Sequence, residues 1–254
     1  MRHSVKQNQS GLSLVELMIA MTLGLLLLGG VLQFFVSSKR TFLHTEVFGK
    51  MEENGRFALD FLARDIRMAG YADPSFSPLP TPVLGGCSND WCAQNGAGLG
   101  SDRIAIQLDP PDDRDCNGNS TAGPNDVIAN VYWVSNDANN NNTPTLFCRG
   151  YNTNTAAWMG AAQPLVEGIE TFQVLYGVTS PGTTTPARYI SADQVTNWNK
   201  ISAIKIGVLS QSGNDAASQQ ATRTFSILDS GPFEFTDGQP RTLYSTTVAL
   251  NNAL

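Results

Sequence analysis

From Leu12 to Val36 the chain reads LSLVELMIAMTLGLLLLGGVLQFFV, an apolar run whose only charge is Glu16. About 25 residues in a helix rise roughly 37 Å, more than the roughly 30 Å of a bilayer's hydrocarbon core. The run therefore predicts one membrane-spanning helix over residues 12–36. After Val36 the pattern changes but does not stop. Leu43, Val47, Met51, Ala58, Leu62, Ile66 and Ala69 recur at spacings of three, four or seven, an apolar stripe with helical period. Gly70 follows as a stop signal. The pattern predicts one helix from Leu12 to Ala69, apolar all round in its first half and one-faced in its second. Gly24 and the Gly29-Gly30 pair mark where it bends or loosens, or where neighbouring helices pack closely.

Beyond Gly70 the chain turns to Pro, Gly, Asn, Asp and Thr with short β-type runs between. Residues 73–101 read as an irregular connection pinned by Pro74, Pro78, Pro80 and Pro82. Strands are expected at Arg103–Leu108, Val127–Val134, Thr145–Arg149, Ile169–Gly177, Ile201–Ser210 and Arg241–Leu250. Residues 136–143, NDANNNNT, are too poor in apolar side chains to pack and read as a polar tip between two strands. Asp193–Trp198 reads as a helical turn. The expected fold class is α+β: a long amphipathic helix, residues 12–70, on an antiparallel sheet domain, residues 71–254.

Charge and rare residues narrow the function. With 22 acidic against 16 basic side chains the net charge is −6, the wrong sign for displacing phosphate counterions, so nucleic acid is not an expected partner. His3 and His44 are the only histidines, too few for a multi-histidine zinc site or a histidine-based triad. No G-x-S-x-G, P-loop or H-E-x-x-H pattern occurs, and no enzymatic activity is expected. Arg2 and Lys6 precede the apolar run, which orients the following domain away from the cytoplasm. No small-residue cleavage site follows Val36, so the helix is expected to be retained.

That orientation places Cys87, Cys92, Cys116 and Cys148 in an oxidising compartment, where an even count implies disulfides. Four cysteines allow three pairings. Cys116–Cys148 with Cys87–Cys92 is favoured, because Cys116 and Cys148 flank the expected Val127–Val134 strand. Asp113, Asp115 and Asn117, followed by Gly118, match the opening of a calcium loop, in which alternate oxygens face inward. The match then breaks: Pro124 stands where the bidentate glutamate belongs, and only Asp126 lies near. The plainer reading is a solvated turn tethered by Cys116, and no cofactor is expected. Trp133, Trp158 and Trp198 read as core or rim residues rather than a sugar-binding platform. Asp60, Arg64, Asp65 and Arg67 read as a solvated or subunit-facing helix surface.

The leader ending in Gly11, then Leu12-Ser13-Leu14-Val15-Glu16 and a long apolar helix, resembles a class III prepilin signal of type IV pili. The stretches ENGRFALDFLARDIRMAGY (53–71), PLVEGIETFQVLYGV (164–178), ADQVTNWNKISAIKIGVLSQS (192–212) and LYSTTVALNN (243–252) look like PilW-type minor pilins of type IVa pili. The resemblance covers about half the chain. It implies a type IV pilin-like fold and removal of residues 1–11 by a prepilin peptidase, with cleavage between Gly11 and Leu12 and N-methylation of Leu12. It also implies pairing of Glu16 with the terminal amine of a neighbouring subunit. Leu12 stands where most major pilins carry phenylalanine, which points to a minor subunit.

Three function classes follow. The resemblance favours a minor pilin, anchored in the inner membrane with a periplasmic domain and later part of the pilus. It would join other minor pilins, the major pilin, the inner-membrane assembly machinery and a tip adhesin, and support pilus priming, twitching motility and adhesion. A pseudopilin of a type II secretion system would share the leader and the helix. A membrane-anchored periplasmic binding protein or enzyme would use the helix only as a tether, and the position of Glu16 argues against it.

Overall fold

The computed structural model describes residues 11, 13–73, 80–87, 89–96, 100–121, 123–212 and 220–252. Residues 1–10 of the leader, Leu12, Pro74 and Pro78 lie outside them. Two compact units are present, one ending at Glu46 and one running from Val47 to Leu254.

A single helix, α1 (Leu14–Met68), contributes to both units. It is helical without a break through Gly24, Gly29 and Gly30, so these glycines do not interrupt it. Within the second unit α1 buries Val47, Met51, Gly55, Ala58, Leu62, Ala63 and Ile66. That is the expected stripe, except that Leu43 is exposed and a glycine fills the gap between Met51 and Ala58. A Cβ built on Gly55 would stand 2.4 Å from Cδ2 of Tyr244, so the helix lies against that ring at a distance only glycine permits. Gly70 ends the helix with φ +75°, a left-handed conformation that favours glycine. Its N–H donates to the Gln107 carbonyl at 2.8 Å.

Gly55 allows a sign test. In an exposed helix interior Gly→Ala stabilises by about 1 kcal/mol. Here the added methyl overlaps Tyr244, and overpacking costs about 1–3 kcal/mol. Gly55→Ala is therefore expected to lower the melting temperature, and to raise it in a Tyr244→Ala background. The same sign in both backgrounds would contradict the contact.

The sheets account for the rest of the second unit. β1 (Arg103–Leu108), β2 (Ile128–Asp137), β3 (Thr143–Asn152) and β4 (Ala157–Glu167) form one antiparallel sheet in that order. The other contains β5 (Ile169–Thr179), β6 (Pro186–Ile190), β7 (Ile201–Gln211) and β10 (Arg241–Ala249), ordered β10-β7-β5-β6 and also antiparallel. A hairpin, β8 (Ala221–Ile227) with β9 (Ser230–Asp237), completes the set. The polar tip falls between β2 and β3, and two 3-10 turns, Ala192–Gln194 and Trp198–Lys200, stand where the helical turn was expected.

One core joins these parts. Ala58, Leu62, Ile66 and Ala69 pack with Ile104, Ile106, Ile128 and Tyr132 of the first sheet, and with Phe172, Val174, Ile204 and Ile206 of the second. Fully burying a side chain such as Leu62 or Ile66 stabilises by about 1.5–3 kcal/mol. Polar bonds fix the register of helix on sheet: Ser210 Oγ donates to the Met51 carbonyl at 3.0 Å, and Asn252 Nδ2 to the Ala69 carbonyl at 3.2 Å. The fold is α+β, one long helix packed on antiparallel sheet.

Candidate functional site

Two parts of the chain carry features beyond packing. The first is the start of α1. Ser13 accepts from the Leu17 N–H at 3.1 Å, and Glu16 lies in the first turn, where a carboxylate complements the helix dipole. Every large apolar residue from Leu14 to Val36 is exposed, Phe34 to 75%. Thr22 turns its hydroxyl back onto the carbonyls of Met18 and Ile19 at 3.1 and 2.9 Å, which satisfies it without water. A helix apolar on all sides and lacking a protein partner requires lipid or other helices around it. Its hydropathy and length suffice to cross a membrane. Gly11 is exposed; its partner in the expected cleavage, Leu12, is outside the described residues.

The second is the polar seam between α1 and the first sheet. The charged face around Asp60 divides here: Asp60, Arg64 and Arg67 are exposed, whereas the Asp65 carboxyl points inward. Its Oδ2 accepts from Asn130 Nδ2 at 2.7 Å and from the Tyr132 hydroxyl at 2.5 Å. Burial pushes the Asp65 carboxyl above its ordinary range, while those two bonds and the Arg64 charge pull it down. The expectation of a solvated or subunit-facing surface is thus corrected at Asp65, whose carboxyl faces the chain's own sheet. It sits three residues after Leu62 and one before Ile66, at the edge of the buried stripe, which was the available signal. A second inward acid, Asp102, accepts from the Gly96 and Val174 N–H groups at 2.7 Å each. Burial pushes it up to about 6 against those donors.

The seam continues into the cysteine loop. Asn130 Oδ1 accepts from the Cys116 N–H at 2.9 Å, so Asp65, Asn130 and Cys116 are linked in series. Cys116 is bonded to Cys148, with Cα atoms 6.5 Å apart, and Cys87 to Cys92, with Cα atoms 6.0 Å apart. Between Cys116 and Asp113 the calcium-like residues fold otherwise than a cation loop. Asp115 Oδ1 accepts from the Asn117 and Asn119 N–H groups, and Oδ2 from Asn119 Nδ2. Asn117 donates to the Cys148 carbonyl at 2.9 Å. With its oxygens turned to donors of its own turn, Asp115 serves the turn, and among the described residues no cluster of three or more acidic, cysteine or histidine side chains is poised for a metal.

Residues 131–252 match the family described as type IV pilus-assembly protein W, and residues 6–32 match the prokaryotic N-terminal methylation motif. Among solved structures, the chain is similar to a type IV-like pilin from Thermus thermophilus, at 16% identity, with 80% of this chain and 96% of that one covered and a TM-score of 0.46. No curated protein matches the chain significantly. The methylation motif takes in Glu16 and much of the exposed apolar stretch of α1, and the match to the type IV pilus-assembly protein W family takes in the chain from within β2 through β10.

Proposed function

We propose that this chain is a minor pilin that is cut between Gly11 and Leu12, N-methylated on Leu12, and built with other minor pilins into a complex that primes pilus growth and sits near the tip. Its work is structural rather than enzymatic. Before assembly the helix anchors the chain in the inner membrane with the sheet domain in the periplasm. Afterwards its apolar surface is covered by neighbouring pilin helices, the major pilin among them, and the subunit supports twitching motility and adhesion.

One observation carries this reading: a lone carboxylate, Glu16, in the first turn of a helix whose other surroundings are apolar and exposed. Inside a membrane helix such a charge costs up to about 2.5–3.5 kcal/mol at the bilayer centre, and less toward the end of the span, where Glu16 stands. A tether has no use for it. A subunit whose cut neighbour brings an amine to that level has one, because a buried charge is tolerated when its partner arrives with it. The N-terminal methylation motif matched over residues 6–32 supports the processing that would free such an amine.

Glu16→Ala is expected to leave insertion and cleavage intact while lowering the amount of this subunit in sheared pili by about tenfold or more, the scale of losing one charge pair. Deleting the gene is expected to abolish surface pili and twitching. Normal incorporation of Glu16→Ala would contradict the pairing. Loss of secreted exoenzymes with pili intact would contradict the pilus assignment in favour of a secretion pseudopilus.

A further inference from the structure

The first sheet has two faces, and only one packs on α1. On the other, strand register sets Arg103 opposite Trp133, Trp133 opposite Phe147, Val131 opposite Arg149, and Tyr151 opposite Trp158. An antiparallel sheet with one face on the core ordinarily turns polar side chains outward on the other. This one turns out aromatics. Trp91 stacks on Tyr151 with centroids 4.5 Å apart, Trp158 meets Tyr151 edge-on at 5.3 Å, and Trp133 stacks on Phe147 at 6.0 Å. Ala105, Ala129, Val131 and Tyr151 are buried beneath this layer, which accounts for part of it as cover. It does not account for Trp133 and Trp158, which stay half-buried and flank an open cleft of about 600 Å³ lined also by Asp90, Gln94, Arg103 and Arg149.

That volume is within the roughly 300–1,000 Å³ of small-ligand sites, and the walls are held in place. The Cys87–Cys92 disulfide closes the segment bearing Asp90 and Trp91. Arg103 ties that segment to β1: Nη1 donates to the Asp90 carbonyl and Nη2 to Gln94 Oε1 at 2.8 Å. Arg149 donates from Nε to the Gly160 carbonyl at 2.9 Å, with its guanidinium 4.7 Å over the Trp158 ring. Among the described residues its two terminal nitrogens make no hydrogen bond, so a positioned guanidinium is left to receive an anion. Walls fixed beforehand lower the ordering cost of binding.

We propose that this cleft binds an acidic oligosaccharide, one whose sugar rings carry carboxylates. Indole faces match the apolar C–H faces of sugar rings while keeping a polar edge in water. The free guanidinium edge of Arg149 suits a carboxylate, and the Asp90 carboxylate with the Gln94 amide suits hydroxyls. Asp90 and a net charge of −6 oppose any anion, and oppose a ten-nucleotide DNA, with a charge at every phosphate, more than a short uronate with three carboxylates. An extended peptide would add to a sheet edge, but the β1 edge beside the cleft is already bridged, Val83 to Ile106 and Gln94 to Arg103. Trp133 and Trp158 hold the core-or-rim position expected of them, half-buried against the cluster of Ala105, Ala129, Val131 and Tyr151, and the proposal adds a ligand at that rim. Trp198 does sit in a core, its ring 5.0 Å from Tyr176.

The test uses the processed full-length chain in detergent micelles, titrated with trigalacturonate, with the neutral galactose trisaccharide of the same linkage, and with a ten-nucleotide single-stranded DNA. Heat of binding and tryptophan emission are the readouts. The expected result is saturable binding of trigalacturonate with an emission shift, and binding of the other two weaker by about tenfold or more. Arg149→Gln is expected to lower trigalacturonate affinity by about tenfold, the scale of a charge-assisted pair. Trp133→Ala, on another wall, is expected to lower it by about fivefold or more without touching Arg149. Absence of trigalacturonate binding, equal binding of DNA, or unchanged affinity in both variants overturns the proposal. It stands apart from the assembly role: a chain that enters pili but binds no uronate refutes the cleft alone, and one that binds uronate but is never cut at Gly11 refutes the assembly reading alone.

Discussion

Replacing Gly11 with alanine is expected to leave the chain inserted in the membrane but uncut, and almost absent from pili. The physical interest lies in what the substitution leaves alone. A Cβ built on Gly11 meets nothing within 4 Å, and the residue precedes the first turn of α1, so no packing or helix energy opposes alanine. A loss of pili therefore cannot come from misfolding of the sheet domain. It would come from the leader: with residues 1–11 attached, Leu12 has no free amine to offer the glutamate of a neighbouring subunit. Envelope immunoblots would show the chain at its precursor mass and sheared pili would lack it. Cleavage of Gly11→Ala at the normal rate would contradict the account.

Breaking the Cys116–Cys148 link carries the largest expected cost to the folded domain. The two cysteines are 32 residues apart in sequence, and on the chain-entropy model a loop of that size stabilises by about 3–4 kcal/mol. For a domain of this size that converts to a drop in melting temperature of roughly 10 °C. Cys148 is fully buried, and Cys116 holds Asn130, which in turn holds Asp65 of α1. The damage thus reaches the seam that docks the helix. Replacing Cys87 and Cys92 instead opens a loop spanning only 5 residues of separation, about 2 kcal/mol on the same model. Thermal melts of the Cys116→Ser/Cys148→Ser and Cys87→Ser/Cys92→Ser chains would rank the two. A smaller loss from the long loop than from the short one would contradict the assignment of the seam.

How much of this could be read from residue order follows from where the apolar side chains are. β1 is found at its expected bounds, Arg103–Leu108, and β5 and β7 within two residues of theirs, because each of the three buries most of a run of Ile, Val, Ala and Leu. β4, β6, β8 and β9 escape such a reading for a common reason. β4 is an edge strand with Gly160, Ala161, Ala162 and Pro164 along it, β6 is a short edge opened by Pro186, and β8 with β9 form a separate hairpin. Edge positions bury little and need no apolar run. The helix was legible through its stripe, but Gly55 looked like a gap because its role depends on Tyr244, nearly two hundred residues on. Asp65 and Asp102 were hidden likewise: their partners, Asn130, Tyr132 and Val174, are supplied by strands distant in sequence. The tryptophans around the cleft could be named from the sequence but not placed on one sheet face, since that depends on register between β2, β3 and β4.

The central claim is that this chain is a processed subunit of a type IV pilus, with its exposed apolar helix destined for neighbouring helices. Mass spectrometry of its mature N-terminus, from envelope fractions and from sheared pili, tests that most directly. The account predicts a chain beginning at N-methylated Leu12 in both fractions. A chain beginning at Met1, or cut after Val36 so that the helix is lost, would contradict it.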